Sequence, residues 1–157
     1  MIIMKHLYLI IAIFTFGICN ANEFPLFYWQ DPNFVNFGDY ISLKLVERIV
    51  DQPVSVVKYR STKVKKLLAI GSILYFANDQ DVVWGSGVHH KHPLKSDYSF
   101  KHLDVRAVRG PLTREFLIST FNIPCPEIYG DPALLFPYFF PEFKKSENPQ
   151  YDYIVIP

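Results

Sequence analysis

The chain has 157 residues, 50% of them hydrophobic and 20% charged, a composition that suits one folded domain and excludes a disordered tail or a fibrous repeat. Its 16 basic and 15 acidic residues almost cancel, so the basic excess needed to bind a nucleic-acid backbone is missing.

The first residues differ from the rest. Met1 to His6 carry one lysine and no acid, Leu7 to Ile18 are almost all apolar, and Cys19-Asn20-Ala21 places small residues where a signal peptidase cuts. This pattern predicts a signal peptide over residues 1–21, cleavage after Ala21, and export to the periplasm or the medium. The alternatives are a membrane-anchored or a cytoplasmic protein. The apolar run falls short of the ~20 residues that span a bilayer, and any membrane association would come through this segment. Cleavage removes one basic residue, Lys5, and no acid, which leaves a formal charge of zero. It also removes Cys19, so the single remaining thiol, Cys125, has no intrachain partner. Between Pro124 and Pro126 it reads as a small core residue.

From Phe24 onward β-rich runs alternate with helical ones. Phe27-Tyr28-Trp29 is a strand candidate, followed by a turn through Asp31, Pro32 and Asn33. Asp39 opens an amphipathic helix in which Ile41, Leu45, Val46, Ile49 and Val50 recur near helical spacing. Val54 to Tyr59 reads as a strand, Leu67 to Ile70 as a fully buried one ending at Gly71, and Ser72 to Asn78 as a short helix. Val82 to Trp84 is another buried strand, ending at Gly85. Gly87 to His102 has no period and is a loop. Leu103 to Val108 is a strand, and Pro111 to Thr120 a helix with proline at its first position, where no N–H is needed. Glu127 to Tyr129 is a strand ending at Gly130-Asp131. The pattern predicts an α/β fold, a mostly parallel sheet with helices on both faces, in which ligands bind at the carboxyl ends of the strands. After a polar linker, Tyr151 to Pro157 opens a further apolar strand. The domain division is therefore a signal peptide, a domain over 22–143, and 144–157 as linker and start of a second domain expected to be missing. Tyr138, Phe139, Phe140 and Phe143 are expected to form an exposed apolar patch that favours association.

Four strand-end motifs are candidates for chemistry. In Asn36-Phe37-Gly38-Asp39, Gly38 lets a ligand approach the backbone at a helix N-terminus, or Asp39 merely caps that helix. Gly71-Ser72 and Gly85-Ser86-Gly87 are glycine turns after buried strands, with tight turns as the plain explanation. Arg109, just before Gly110 and the proline-started helix, can meet a carboxylate or phosphate together with that helix's N–H groups, or make a surface ion pair. Thr113 is either an anion-contacting hydroxyl or an ordinary first-turn residue. His89, His90 and His92, adjacent on a loop without a partner cysteine, suit metal poorly; acid, base or phosphate contact fits them better, with a solvated loop as the plain explanation for at least two of the three.

Asn36-Phe37-Gly38-Asp39, Gly71-Ser72-Ile73-Leu74, Val83-Trp84-Gly85-Ser86-Gly87, Val105-Arg106-Ala107-Val108-Arg109-Gly110-Pro111-Leu112-Thr113 and Tyr129-Gly130-Asp131-Pro132-Ala133 resemble, in order and spacing, the polysaccharide pyruvyl transferases. The look is of the exopolysaccharide glucosyl ketal-pyruvate-transferase type, and the match runs from about Phe27 to the end. The resemblance implies the N-terminal, Rossmann-like half of a two-domain enzyme built like the GT-B glycosyltransferases, with the active site between the halves. It implies a transferase that moves pyruvate as a ketal from phosphoenolpyruvate onto two hydroxyls of a saccharide acceptor; no cofactor is expected and no residue is assigned to a metal. On that reading His89 or His90 supplies acid or base, Arg109 clamps the anion, and Gly38, Asp39, Gly71, Ser72, Gly85, Ser86, Gly110 and Thr113 line the substrate site. A second domain or another copy of the chain would complete the cleft. The rival readings are an exported, non-catalytic sugar- or anion-binding module and a GT-B glycosyltransferase acting on a nucleotide sugar.

Overall fold

A computed structural model describes residues 25–57, 64–143, 146–148, 150 and 151. The signal-peptide expectation over 1–21 and most of the final strand expectation over 151–157 lie outside the described residues. Among those described, no helix is long and apolar enough to cross a membrane.

The described chain forms β1 (Leu26–Phe27), α1 (Phe37–Val50), β2 (Leu67–Leu68), β3 (Val82–Trp84), β4 (Asp104–Ala107), α2 (Pro111–Phe121) and α3 (Phe136–Phe139). The four strands make one sheet in the order β1-β2-β3-β4, and every pairing is parallel. Two isolated parallel bridges extend it: Val56 joins the outer side of β1 and Tyr129 joins Val108 beyond β4. The chain therefore runs outward from β1 to Val56 and then back across β1 to β2. That reversal leaves a gap between the carboxyl ends of β1 and β2, where the two neighbouring connections depart in opposite directions.

Alternating strand side chains explain why the sheet is covered twice. Leu26, Leu67, Val82, Trp84 and Ala107 point to one face and pack with Ile41, Leu45, Val46 and Ile49 of α1. Phe27, Leu68, Val83 and Val108 point to the other and pack with Leu117 of α2, Leu74, Ile123 and Cys125. With both faces buried, the strands read as unbroken apolar runs rather than alternating ones. Burial pushes the Cys125 thiol up to about 11, which removes it from nucleophilic chemistry at neutral pH.

Several elements are shorter than the sequence suggests. The runs at 67–70 and 103–108 contribute strands of two and four residues, the described part of the run expected over 54–59 makes one bridge at Val56 while 58 and 59 lie outside the described residues, Glu127 to Tyr129 reduces to a single bridge, and the helix expected over 72–78 is a 3-10 turn at Leu74–Phe76. The first strand, Leu26–Phe27, starts one residue and ends two residues earlier than expected. The loop after Gly87 contains one 3-10 turn, Lys95–Asp97. Of the four aromatics expected to be exposed, Tyr138 and Phe143 are so, at 75% and 67%, whereas Phe139 and Phe140 are half-buried and pack on the α1 side of the core.

Candidate functional site

Because all strands are parallel, their carboxyl ends bring four connections to one edge of the sheet. Trp29 follows β1, Gly71-Ser72 follow β2, Gly85-Ser86-Gly87 follow β3, and Arg109-Gly110 follow β4. A cavity of about 490 Å³ opens there over the gap between β1 and β2. Asp39, Ser72, His89, Lys91 and His92 supply its polar groups, and Trp29, Ile73, Tyr75 and Phe76 its apolar wall.

Asp39 enters from α1. The helix begins at Phe37 rather than Asp39, and its cap is Asn36, whose Oδ1 accepts from Asp39 N at 3.2 Å. Asp39 is thus in the first turn with its carboxyl released from capping and turned to the cavity rim. Partial burial raises its pKa by desolvation.

The glycine turns hold the floor. Gly71 has φ +108°, and a Cβ placed there would lie 3.7 Å from Asp39 Oδ1. Ser86 is buried and does not reach the cavity; its Oγ donates to Gly71 O at 3.0 Å, and Gly87 N donates to the same carbonyl at 3.0 Å. Gly85 has φ +90°, and a Cβ there would strike the Pro132 ring and approach Gly130 O to 2.7 Å. Strain and collision act together, so Gly85→Ala should destabilise the protein by about 1–3 kcal/mol, visible as a lower Tm.

The loop after β3 brings in the histidines. Tyr98, buried so that its hydroxyl is pushed up to about 12, donates to His92 O at 2.9 Å and ties the loop down. The His92 ring stacks on Tyr75 with centroids 3.8 Å apart. His89 accepts at Nδ1 from Lys91 N at 3.2 Å, which puts the proton of the neutral ring on Nε2. Its pKa is lowered, chiefly by desolvation and then by His90, Lys91, His92 and Arg109. With Nδ1 taken as an acceptor, His89 offers Nε2–H to the cavity as a hydrogen-bond donor. His90 is exposed, stacks on His89 at 4.5 Å and does not line the cavity. Among the described residues no three histidines, cysteines or carboxylates are grouped to hold a metal ion.

Arg109 and Thr113 flank the same loop. Arg109 is exposed; its guanidinium lies over Gly87 and donates to Val88 O at 3.4 Å. Thr113 is buried and its Oγ1 accepts from Val88 N at 3.3 Å, so this hydroxyl positions the loop. Gly110 caps α2 without a side-chain bond, in extended geometry, with open space where a Cβ would be.

The family model for polysaccharide pyruvyl transferase matches residues 24–157, nearly all of the chain. The chain belongs to that family. No curated protein and no solved structure matches it. Within this pyruvyl transferase chain, sequence reasoning singled out Asp39, Ser72, His89 and His92 of the cavity but assigned no role to Trp29, Tyr75, Phe76 or Lys91. Aromatic residues after a strand carry no local signal of facing a cavity, and one lysine beside three histidines reads as part of a solvated loop.

Proposed function

We propose that this chain binds phosphoenolpyruvate in the cavity over the β1–β2 gap and serves the transfer of its pyruvyl unit, as a ketal, to two hydroxyls of a surface or exported saccharide. The observation that carries the reading is the pairing, in one cavity, of cationic and donor groups with an aromatic wall. Lys91 and the Nε2–H of His89 suit the phosphate and carboxylate of the donor. Trp29, whose ring stacks on Phe76 with centroids 5.2 Å apart, presents 39% of its surface beside them and suits the apolar face of a pyranose. Arg109, which follows β4 and lies against the histidine loop, adds a further anion contact at the edge of the cavity.

The architecture that accompanies this reading is the Rossmann-like half of a GT-B-like enzyme, with the opposing half closing over the strand ends. Closure would exclude water from an enol whose hydrolysis competes with transfer. Titration of phosphoenolpyruvate into the protein, followed by calorimetry, tests the reading. A saturable heat that inorganic phosphate competes away is expected. No heat at millimolar phosphoenolpyruvate would overturn it.

A further inference from the structure

We propose that Asp39 is the general acid that protonates the enol carbon of the bound donor, a role resting on the phosphoenolpyruvate reading above. Ketal formation needs a proton delivered to carbon, and only a group that holds a proton in the site can deliver it. The histidine expected to do this is unsuited by its geometry: Nδ1 of His89 accepts from Lys91 N, so the one proton it presents is Nε2–H, and an imidazole with its other nitrogen engaged as an acceptor does not surrender that proton. His90 is exposed outside the cavity.

Asp39 has the complementary properties. Asn36 takes over the capping duty that would otherwise hold this carboxylate ionised against backbone N–H groups. Gly71, without a side chain, leaves the carboxyl uncovered, since a Cβ there would sit 3.7 Å from Oδ1. Its facing groups are Ser72 beside it and Tyr75, His89, Lys91 and His92 around the cavity. Burial already favours its protonated form, and the negative charges of a bound donor would favour it further.

The step balances with Asp39 alone. Its proton passes to C3 and the π electrons of the enol form the new C–H bond, making C3 a methyl and C2 an oxocarbenium centre. The first acceptor hydroxyl adds to C2 and its proton returns to the Asp39 carboxylate. The C2–O bond to phosphate then breaks with its electron pair. The second hydroxyl closes the ketal, and its proton leaves on the phosphate.

The test measures phosphate release from phosphoenolpyruvate with methyl glucoside as acceptor, together with calorimetric binding of phosphoenolpyruvate, for the full chain and for Asp39→Asn and Asp39→Glu. Asp39→Asn should lower kcat by about 10²- to 10⁴-fold while binding phosphoenolpyruvate about as tightly as the parent, because Asn is isosteric with the neutral carboxyl and only the transferable proton is lost. The fall in rate at alkaline pH should vanish in Asp39→Asn and persist in Asp39→Glu. Because the folded-state pKa is raised, Asp39 contributes stability only while protonated, and that contribution is lost as pH rises through its folded value. The Tm of Asp39→Asn at neutral pH should therefore be no lower than that of the parent. An active Asp39→Asn that keeps the alkaline fall, or one that only raises KM, overturns the assignment while leaving the donor site intact. A parent protein that neither binds phosphoenolpyruvate nor releases phosphate overturns the donor site itself and the assignment with it.

Discussion

Replacing Asp81 with alanine is expected to destabilise the fold by about 3–5 kcal/mol, the cost of leaving a buried charge without its partner. Asp81 and Lys66 form an ion pair whose side chains are 1% and 0% exposed. The carboxylate does more than pair: Oδ1 accepts from Lys66 N at 3.0 Å and Oδ2 from Asn78 N at 2.7 Å. Lys66 directly precedes β2 and Asp81 directly precedes β3, so one side chain ties the amino ends of two central strands. The backbone continues the tie, with Val82 N donating to Lys66 O and Asp104 N to Asp81 O, both at 2.9 Å. Alanine would strand an ammonium and two N–H donors in an apolar surround. Against a total of roughly 5–15 kcal/mol for a domain, that is enough to unfold much of the population on warming. Urea denaturation measures it. A loss under ~1 kcal/mol would mean that water reaches the pair, contrary to its burial. The double variant Lys66→Met, Asp81→Asn should recover a large part of the loss, because Asn keeps an acceptor for the N–H groups and Met removes the charge.

This pair also marks where sequence reading ends. Lys65-Lys66 before an apolar run looks like two solvated lysines, and only the packed sheet shows that one is exposed and the other buried. The runs Leu67–Ile70 and Val82–Trp84 were legible because a strand buried on both faces must be apolar throughout. The helix from α1's start to Val50 was legible through Ile41, Leu45 and Ile49, yet its cap was misplaced onto Asp39. Asn36, three residues before Asp39, carried the capping signal, and the misplacement matters because it is what frees Asp39 for the cavity. The glycine turns after β2 and β3 were legible as strand ends. What they gather was not: the histidine loop folds back over Leu74–Phe76, and a loop without a period gives no sign that His92 faces inward while His90 faces out.

Arg109→Lys is expected to weaken phosphoenolpyruvate binding roughly tenfold to a hundredfold, corresponding to ~1.5–3 kcal/mol for the loss of one bidentate charge-assisted pair. The residue follows β4, where its backbone N donates to Ser86 O at 3.2 Å and so fixes where the side chain starts. The guanidinium then lies along the β3 loop: a Cβ on Gly87 would come within 2.9 Å of both Nε and Nη2. A side chain at position 87 would push the fork out of this position, in which it lies toward His89. The bond to Val88 O is long at 3.4 Å and the side chain is exposed, so little folding energy is held there. Lysine keeps the charge and loses the planar fork, which separates recognition from simple attraction. Calorimetry with phosphoenolpyruvate should therefore register the weaker affinity while the Tm stays within a degree or two of the parent. The opposite pattern, a lowered Tm with unchanged affinity, would make Arg109 a brace for the loop and leave Lys91 and His89 to hold the donor without it.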